Sequence, residues 1–192
     1  MNVLKNTQKR CSWVSDDRSM IKYHDKEWGV PIHNDKKLFE FLILEVAQAG
    51  LSWQTVLNKR ENYRRAFDDF DPIKISLYNN KDVERLMNDA GIIRNKLKIL
   101  STILNAKSFL KIKKDFGTFH KYIWQFVDGR PIKNKFKSLK EIPSTTKESD
   151  AMSKDLKKRG FKFIGSTMCY AFMQGVGMVN DHETSCKIRI RA

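Results

Sequence analysis

Apolar residues recur at helical spacing most persistently between Lys36 and Trp53, where the chain reads KKLFEFLILEVAQAGLSW. The pattern predicts a helix over Lys36–Ala49, with Asn34 or Asp35 at its start and Gly50 at its end. Leu38, Leu42, Glu45, Ala49 and Trp53 fall along one side. Glu45, between Leu44 and Val46, is a carboxylate inside the most apolar part of the run. Two readings stand at this point: an acid at the rim of the core bonded to a turn, or a carboxylate at the bottom of a pocket, aimed at a ligand.

Ser52 can cap a second helix, with Trp53, Val56, Leu57, Tyr63, Ala66 and Phe67 on its apolar face and Asp68–Pro72 as its end. A short helix around Asp82–Asn88 precedes a longer one running to about Lys114, with Leu97, Leu100, Ile103, Leu104 and Leu110 expected inward. Thr118 can cap a helix holding Tyr122, Ile123, Phe126 and Val127, closed by the turn Asp128–Pro131. Residues 132–146 read as a long polar loop, and Glu148–Arg159 as a basic helix. Gly160 stops that helix, and Ser166 or Thr167 can cap a last one reaching about Gln174. Residues 11–33 show no sustained period but are rich in aromatics, so they are expected to lie as an irregular strap across a helical body. No strand alternation persists. The fold class is therefore all-α: a basic tail over residues 1–10, then a single module over 11–192, as one core or two closely packed helical lobes.

Charge narrows the partners. Lys and Arg number 37 against 22 Asp and Glu, a formal charge of +15, which suits a polyanion. Nucleic acid leads and an acidic membrane surface comes second, while a general lysine bias would leave a solvated surface with no partner. No apolar run is long enough for a bilayer, and MNVLKNTQKR lacks the apolar core of a secretory leader. Three cysteines do not suggest a disulfide framework, so a cytoplasmic location is expected.

Two groups of residues carry chemistry. Cys11 and His24 lie near one end; His182 and Cys186, spaced to share a helical face, lie near the other. Two thiolates and two imidazoles suit tetrahedral zinc, although compact zinc motifs have tighter spacings. Cys169 reads as a core residue, and His33 and His120 as surface or cap residues. The second group is LKKRGFKFIGST, two glycines bracketing an apolar hairpin between helices. Its backbone N–H groups can hold a phosphate beside Lys157, Lys158, Arg159 and Lys162, or it is an ordinary turn with a basic surface.

Cys11-Ser-Trp13, Tyr23-His24-Asp25-Lys26-Glu27-Trp28-Gly29-Val30-Pro31, Glu45-Val-Ala-Gln48-Ala-Gly50-Leu51-Ser52-Trp53 and Arg60-Glu61-Asn62-Tyr63-Arg64 resemble the DNA-3-methyladenine glycosylase I family. So do Asp89-Ala-Gly91-Ile-Ile93-Arg94, Lys158–Gly165 and Asn180-Asp181-His182, in order along residues 11 to about 186. The resemblance implies a helix-hairpin-helix DNA glycosylase of all-α fold. It implies release of free 3-methyladenine, and less readily 3-methylguanine, from double-stranded alkylated DNA. It also implies one structural zinc on Cys11, His24, His182 and Cys186, joining the termini. Glu45 and Tyr23 match the residues that hydrogen-bond the base, and Trp53 matches the indole stacked on it. Trp28 matches another wall, Trp13 belongs to the shell, and Met20 stands where a tyrosine is often found. Leu51 matches the residue entering the duplex. Lys158, Arg159, Lys162, Gly165 and Ser166 are expected on phosphates. The superfamily aspartate is absent at Val179-Asn180, and Asp181 is expected in the zinc shell or as a turn cap. A monofunctional, cytoplasmic monomer acting on nucleoid DNA, with no redox or organic cofactor and no membrane partner, completes the expectation. A zinc-stabilised DNA-binding domain without catalysis, or a glycosylase for another damaged base, is the alternative.

Overall fold

The apolar run becomes the central helix. In the computed structural model, which describes residues 9–190, α2 (Asp35–Gln48) begins at Asn34, whose side chain accepts from the Lys37 N–H, and ends just before Gly50 at φ +77°. Leu38 through Ala47 are all buried, because α2 is wrapped by α3 (Trp53–Ala66), α6 (Lys96–Phe116), α7 (Phe119–Trp124) and α9 (Ser166–Gly175). Around these lie α1 (Arg18–Lys26), α4 (Pro72–Ser76), α5 (Asn80–Asn88) and α8 (Lys147–Lys158). The all-α expectation holds for the described residues, apart from a two-residue parallel pairing of β1 (Ile132–Lys133) with β2 (Val179–Asn180). The basic tail over 1–10 lies mostly outside the described residues.

Three local expectations need correction. The strap over 11–33 contains α1, capped by Asp17 accepting from the Ser19 and Met20 N–H groups. Its inward residues are Met20, Tyr23 and His24; with an imidazole among only three, no apolar period stands out. The turn after α3 contains α4, begun by Asp71 with Pro72 next to it. The inward face of α6 is also displaced: Leu97, Leu100 and Leu104 are exposed, while Lys98, Ile99, Ser101, Thr102, Asn105, Ala106 and Phe109 are buried beside Ile103. That polar inner face is tolerated because its groups have partners. Ser101 and Thr102 donate to the Lys98 carbonyl, and Lys98 and Asn105 bond other segments.

Buried ion pairs and close backbones fasten α1 to the body. Arg60 donates both Nη groups to Glu27 at 3.0 and 2.9 Å and its Nε to Glu40 at 2.7 Å, tying the end of α1 to α3 and α2. Beyond α1, the Gly29 and Ile32 N–H groups donate to the carbonyls of Gln174 and Val176, each at 3.0 Å. Gly177 allows that approach: a Cβ there would lie 2.3 Å from the Val30 carbonyl carbon. The ends of the chain meet as well. The Ser12 N–H and hydroxyl both donate to Glu183, and the Lys187 N–H donates to the Lys9 carbonyl at 3.0 Å. His33 and His120, expected to be separate surface or cap residues, lie nitrogen to nitrogen at 2.8 Å beside Trp124.

Candidate active site

Four segments converge on a pocket of about 340 Å³. The N-terminal strap supplies Trp13, Tyr23 and Trp28. The end of α2 and the start of α3 supply Glu45, Gln48 and Trp53. The far wall comes from α9 (Thr167, Tyr170, Ala171, Gln174) and from Leu139, Ile142, Pro143 and Ser144 of the 132–146 loop. The predicted Glu45, Tyr23, Trp28, Trp53 and Trp13 thus come together. Met20 is buried in the first turn of α1 and is not among the residues lining this pocket. The α9 and loop residues carry no family motif and alternate with core residues, so the sequence offered no signal for them.

The α2 helix holds two buried carboxylates with opposite surroundings. Glu40 is paired with Lys37, Arg60 and Arg64; burial works against its charge, but the Arg60 hydrogen bonds and charge hold its carboxyl below the ordinary value. Glu45 is 5% exposed and has no hydrogen-bond partner among the described residues, so the rim-and-turn reading fails. Burial alone pushes its pKa up to about 8. Tyr23, whose ring lies 5.2 Å from that of Trp53, is raised well above its ordinary pKa by burial and then by Glu45, so its phenol remains a donor. Gly175 leaves room for it, since a Cβ there would lie 3.2 Å from the Tyr23 hydroxyl. The site therefore offers an unpaired acid and a phenol among indoles, a setting for a flat cationic ligand.

Lys98 is a supporting residue that sequence patterning missed. Its buried ammonium donates to the carbonyls of Ala47 at 2.8 Å and Ala49 at 2.6 Å, closing the C-terminal end of α2 where the helix dipole is negative. This end carries Gln48 and leads through Gly50 to Leu51, which is 42% exposed. Lys98→Met keeps the stem but strips two carbonyls of their donor. A loss of about 1–3 kcal/mol is expected, read as a lower melting temperature in thermal unfolding.

The metal-ligating candidates gather beside the pocket. Ligand atoms of Cys11, His24 and Cys186 lie within 4.8 Å of one another, all buried. His182 is outside that mutual limit, with its ring 5.0 Å from that of His24. Its Nδ1 is 3.0 Å from the Asn180 Oδ1, while its Nε2 is buried without a partner. His24 has the same arrangement: Nδ1 lies 2.8 Å from Asp25, and Nε2 is 3.6 Å from the Cys186 sulfur. Such outer hydrogen bonds fix the tautomer that leaves Nε2 to a metal. Burial lowers the pKa of His24, and burial with the nearby His24 brings His182 to about 4, so both rings are neutral as ligands must be. Burial pushes the Cys11 thiol up, so its thiolate calls for a cation. The donor set fits zinc. Trp28 stands between the two sites, 4.6 Å from His182 and 4.9 Å from Trp13, ring to ring. Asp181 takes no part: it accepts from Asn134, Tyr170 and Gln174 instead.

The hairpin between α8 and α9 is held from behind by Asn105, which accepts from the Lys162 N–H at 2.7 Å and donates to its carbonyl at 3.2 Å. Neither Ser166 nor Thr167 caps α9. The N-cap is Gly165, which offers no side-chain bond, and the Ser166 hydroxyl bonds Ser149 and Asp150. The first-turn N–H groups of α9 are thus left without a side-chain cap, suited to an anion. Lys158 and Lys162 are exposed, whereas Arg159 is turned away. Its Nε donates to Asp155 at 2.7 Å, and its guanidinium lies over the rings of Phe116 and Tyr122 at 4.8 and 4.9 Å. Arg159 is thus engaged within the fold, while the side chains of Lys158 and Lys162 have no such hydrogen-bond or ring partners among the described residues.

A sequence profile described as methyladenine glycosylase matches residues 13–190. DNA-3-methyladenine glycosylase 1 of Escherichia coli is 54% identical over 177 residues, 92% of this chain and 95% of that enzyme. The Haemophilus influenzae DNA-3-methyladenine glycosylase is 49% identical over 177 residues, 92% of this chain and 96% of the other. A Staphylococcus aureus 3-methyladenine DNA glycosylase I structure, described as the structural basis of 3-methyladenine recognition, superposes with a TM-score of 0.91 at 34% identity, covering 94% of this chain and 96% of its own.

Proposed function

The chain belongs to the methyladenine glycosylase family, and we propose that it is a monofunctional DNA glycosylase. It hydrolyses the N-glycosidic bond of 3-methyladenine, and more weakly of 3-methylguanine, in alkylated double-stranded DNA as the first step of base excision repair. The observation that carries this reading is Glu45, a buried carboxylate without a partner at the wall of an aromatic pocket.

A purine methylated at N3 is cationic while attached to its sugar, so it is already a good leaving group. The pocket has to select it more than protonate it. The base must leave the stack to enter. Glu45 gives up its proton to meet the positive charge with a charge-assisted hydrogen bond, which neutral adenine cannot draw on. Tyr23 donates its phenol O–H to the base, and Trp53 stacks on it, with Trp28 and Trp13 closing the side wall. Leu51 fills the gap left in the duplex. Water attacks C1′ as the base departs. Among the described residues no lysine lines the pocket to form an imine, which supports hydrolysis without strand cleavage.

Cys11, His24, His182 and Cys186 would hold one structural zinc, which supplies a cross-link between the two ends of the chain. Its neighbours Trp28 and Trp13 are pocket residues, so the centre would also steady one wall. The reading places it in the cytoplasm as a monomer acting on nucleoid DNA, a polyanion that suits its +15 charge. Among the described residues no helix is long and apolar enough to cross a membrane.

The test is to incubate methylated duplex with the protein and chromatograph the released bases. Free 3-methyladenine with an unbroken backbone is expected; DNA binding with no base released would make the chain a recognition domain only. Duplex contact is assigned to Lys158, Lys162 and the uncapped start of α9. Reversing both lysines to glutamate should weaken binding about equally for every undamaged sequence and flatten its dependence on salt by roughly two counterions, as measured by fluorescence anisotropy between 50 and 200 mM salt.

A further inference from the structure

The displaced aspartate of the sequence, Asp181, sits behind the far wall of the pocket, 1% exposed. Its Oδ2 accepts from the Tyr170 hydroxyl at 2.6 Å and from the Gln174 Nε2 at 2.8 Å, and its Oδ1 accepts from the Asn134 Nδ2 at 2.7 Å. Tyr170 and Gln174 both line the pocket. A carboxylate on one side of a primary amide fixes which way the amide faces. Gln174 must give Asp181 its NH₂, so its carbonyl is the end left over. That Oε1 has no hydrogen-bond partner among the described residues, and it is not among the sealed, unpartnered polar atoms, which are Trp53 Nε1 and His182 Nε2 alone. It is an acceptor without a protein partner, on a residue that lines the pocket.

We propose that Gln174, held in one orientation by Asp181, is a specificity-determining residue that accepts a hydrogen bond from the exocyclic amino group of the flipped base. The inference rests on the glycosylase reading and deepens it. An adenine-type lesion presents N–H donors at its C6 position; a guanine-type lesion presents a carbonyl oxygen. Two facing acceptors repel, and the amide cannot turn to relieve them, because turning would aim its own oxygen at the Asp181 carboxylate. Glu45 selects for positive charge, which both lesions carry. Gln174 tells the two apart.

The experiment is single-turnover release of 3-methyladenine and 3-methylguanine from one methylated duplex, by the unmodified protein and by Gln174→Met. The variant keeps length and volume but lacks the acceptor. The ratio of the two rates should fall about tenfold, mainly through a slower 3-methyladenine rate, with zinc content retained and the melting temperature lowered by a few degrees because Asp181 loses one of its donors. Asp181→Asn, which frees the amide to turn, should lower the ratio in the same direction, and Gln174→Ala takes the place of the methionine variant if that one does not fold. Equal losses on both bases, with the ratio unchanged, would overturn the proposal and make Gln174 a wall residue only. An unmodified protein that released neither base would overturn the glycosylase reading itself, and this proposal with it.

Discussion

Replacing Glu45 by glutamine is expected to make the protein more stable at high pH while taking away its affinity for the base. Burial pushes the carboxyl up to about 8 in the folded protein, against about 4.5 for the exposed side chain of the unfolded chain. Between those values the folded state holds a proton that the unfolded state lacks, so folding stability falls as pH rises through the window. At about 1.4 kcal/mol per pKa unit, the loss by pH 9 is of the order of 3–5 kcal/mol. Glu45→Gln removes that dependence. It should melt close to the unmodified protein at pH 5 and well above it at pH 9, as followed by calorimetry across that range. The same change removes the charge that meets the cationic base, worth roughly 1.5–3 kcal/mol for a hydrogen bond to a charged group. Parallel melting of the two proteins at all pH values would mean that Glu45 is neither desolvated nor alone.

Loss of the metal centre should have the larger effect on the fold itself. The four proposed ligands lie at opposite ends of the chain, so a cross-link there closes nearly the whole of it. By the chain-entropy argument, closing a loop of about 100 residues is worth about 4.7 kcal/mol, and a longer one slightly more. Part of the junction survives without metal, because Ser12 still bonds Glu183 and Lys187 still bonds Lys9. Removal of zinc from the intact protein by a chelator, or Cys186→Ala, should therefore lower the melting temperature by roughly 10–20 °C, at about 2–4 °C per kcal/mol for a chain of this size. Elemental analysis of the unmodified protein should give one zinc per chain. Because Trp28 lies against His182 and in the pocket wall, indole fluorescence should change on chelation before the helices melt. A metal-free protein with unchanged melting and full activity would remove zinc from the account.

What could be read from the sequence follows the places where chemistry and periodicity agree. Helix α2 was legible because ten consecutive buried positions, Leu38 to Ala47, leave few alternatives, and Asn34 and Gly50 punctuate it. Glu45 was visible as an anomaly, although only the fold shows that it lacks the partners Glu40 has. The metal ligands could be named from family motifs, while sequence spacing could not say that α1 and the segment after β2 meet. Helix α6 departs from the expectation because hydropathy alone turns its leucines inward, whereas Leu97, Leu100 and Leu104 are exposed. Its inner face instead uses Lys98 and Asn105 to bond the end of α2 and the hairpin, jobs that no local pattern announces. Arg159 shows the converse: a cation in a basic motif reads as a phosphate ligand, while the fold engages it with Asp155 and two aromatic rings, partners that lie far from it in sequence or a helical turn away. The far wall of the pocket depends on long-range packing of α9 and the 132–146 loop, for which one sequence holds no record.

The central claim is that a solitary buried carboxylate selects the cationic base and so permits its excision. It is tested most directly by single-turnover release of 3-methyladenine from methylated duplex, comparing the unmodified protein with Glu45→Gln from pH 6 to pH 9. The unmodified rate should climb with pH, passing half its maximum near 8 and approaching its plateau toward pH 9, as Glu45 loses its proton more readily to meet the base. The variant should be slower by roughly 10- to 100-fold at the plateau, with a flat profile. Equal rates and equal pH profiles for the two proteins would contradict the account.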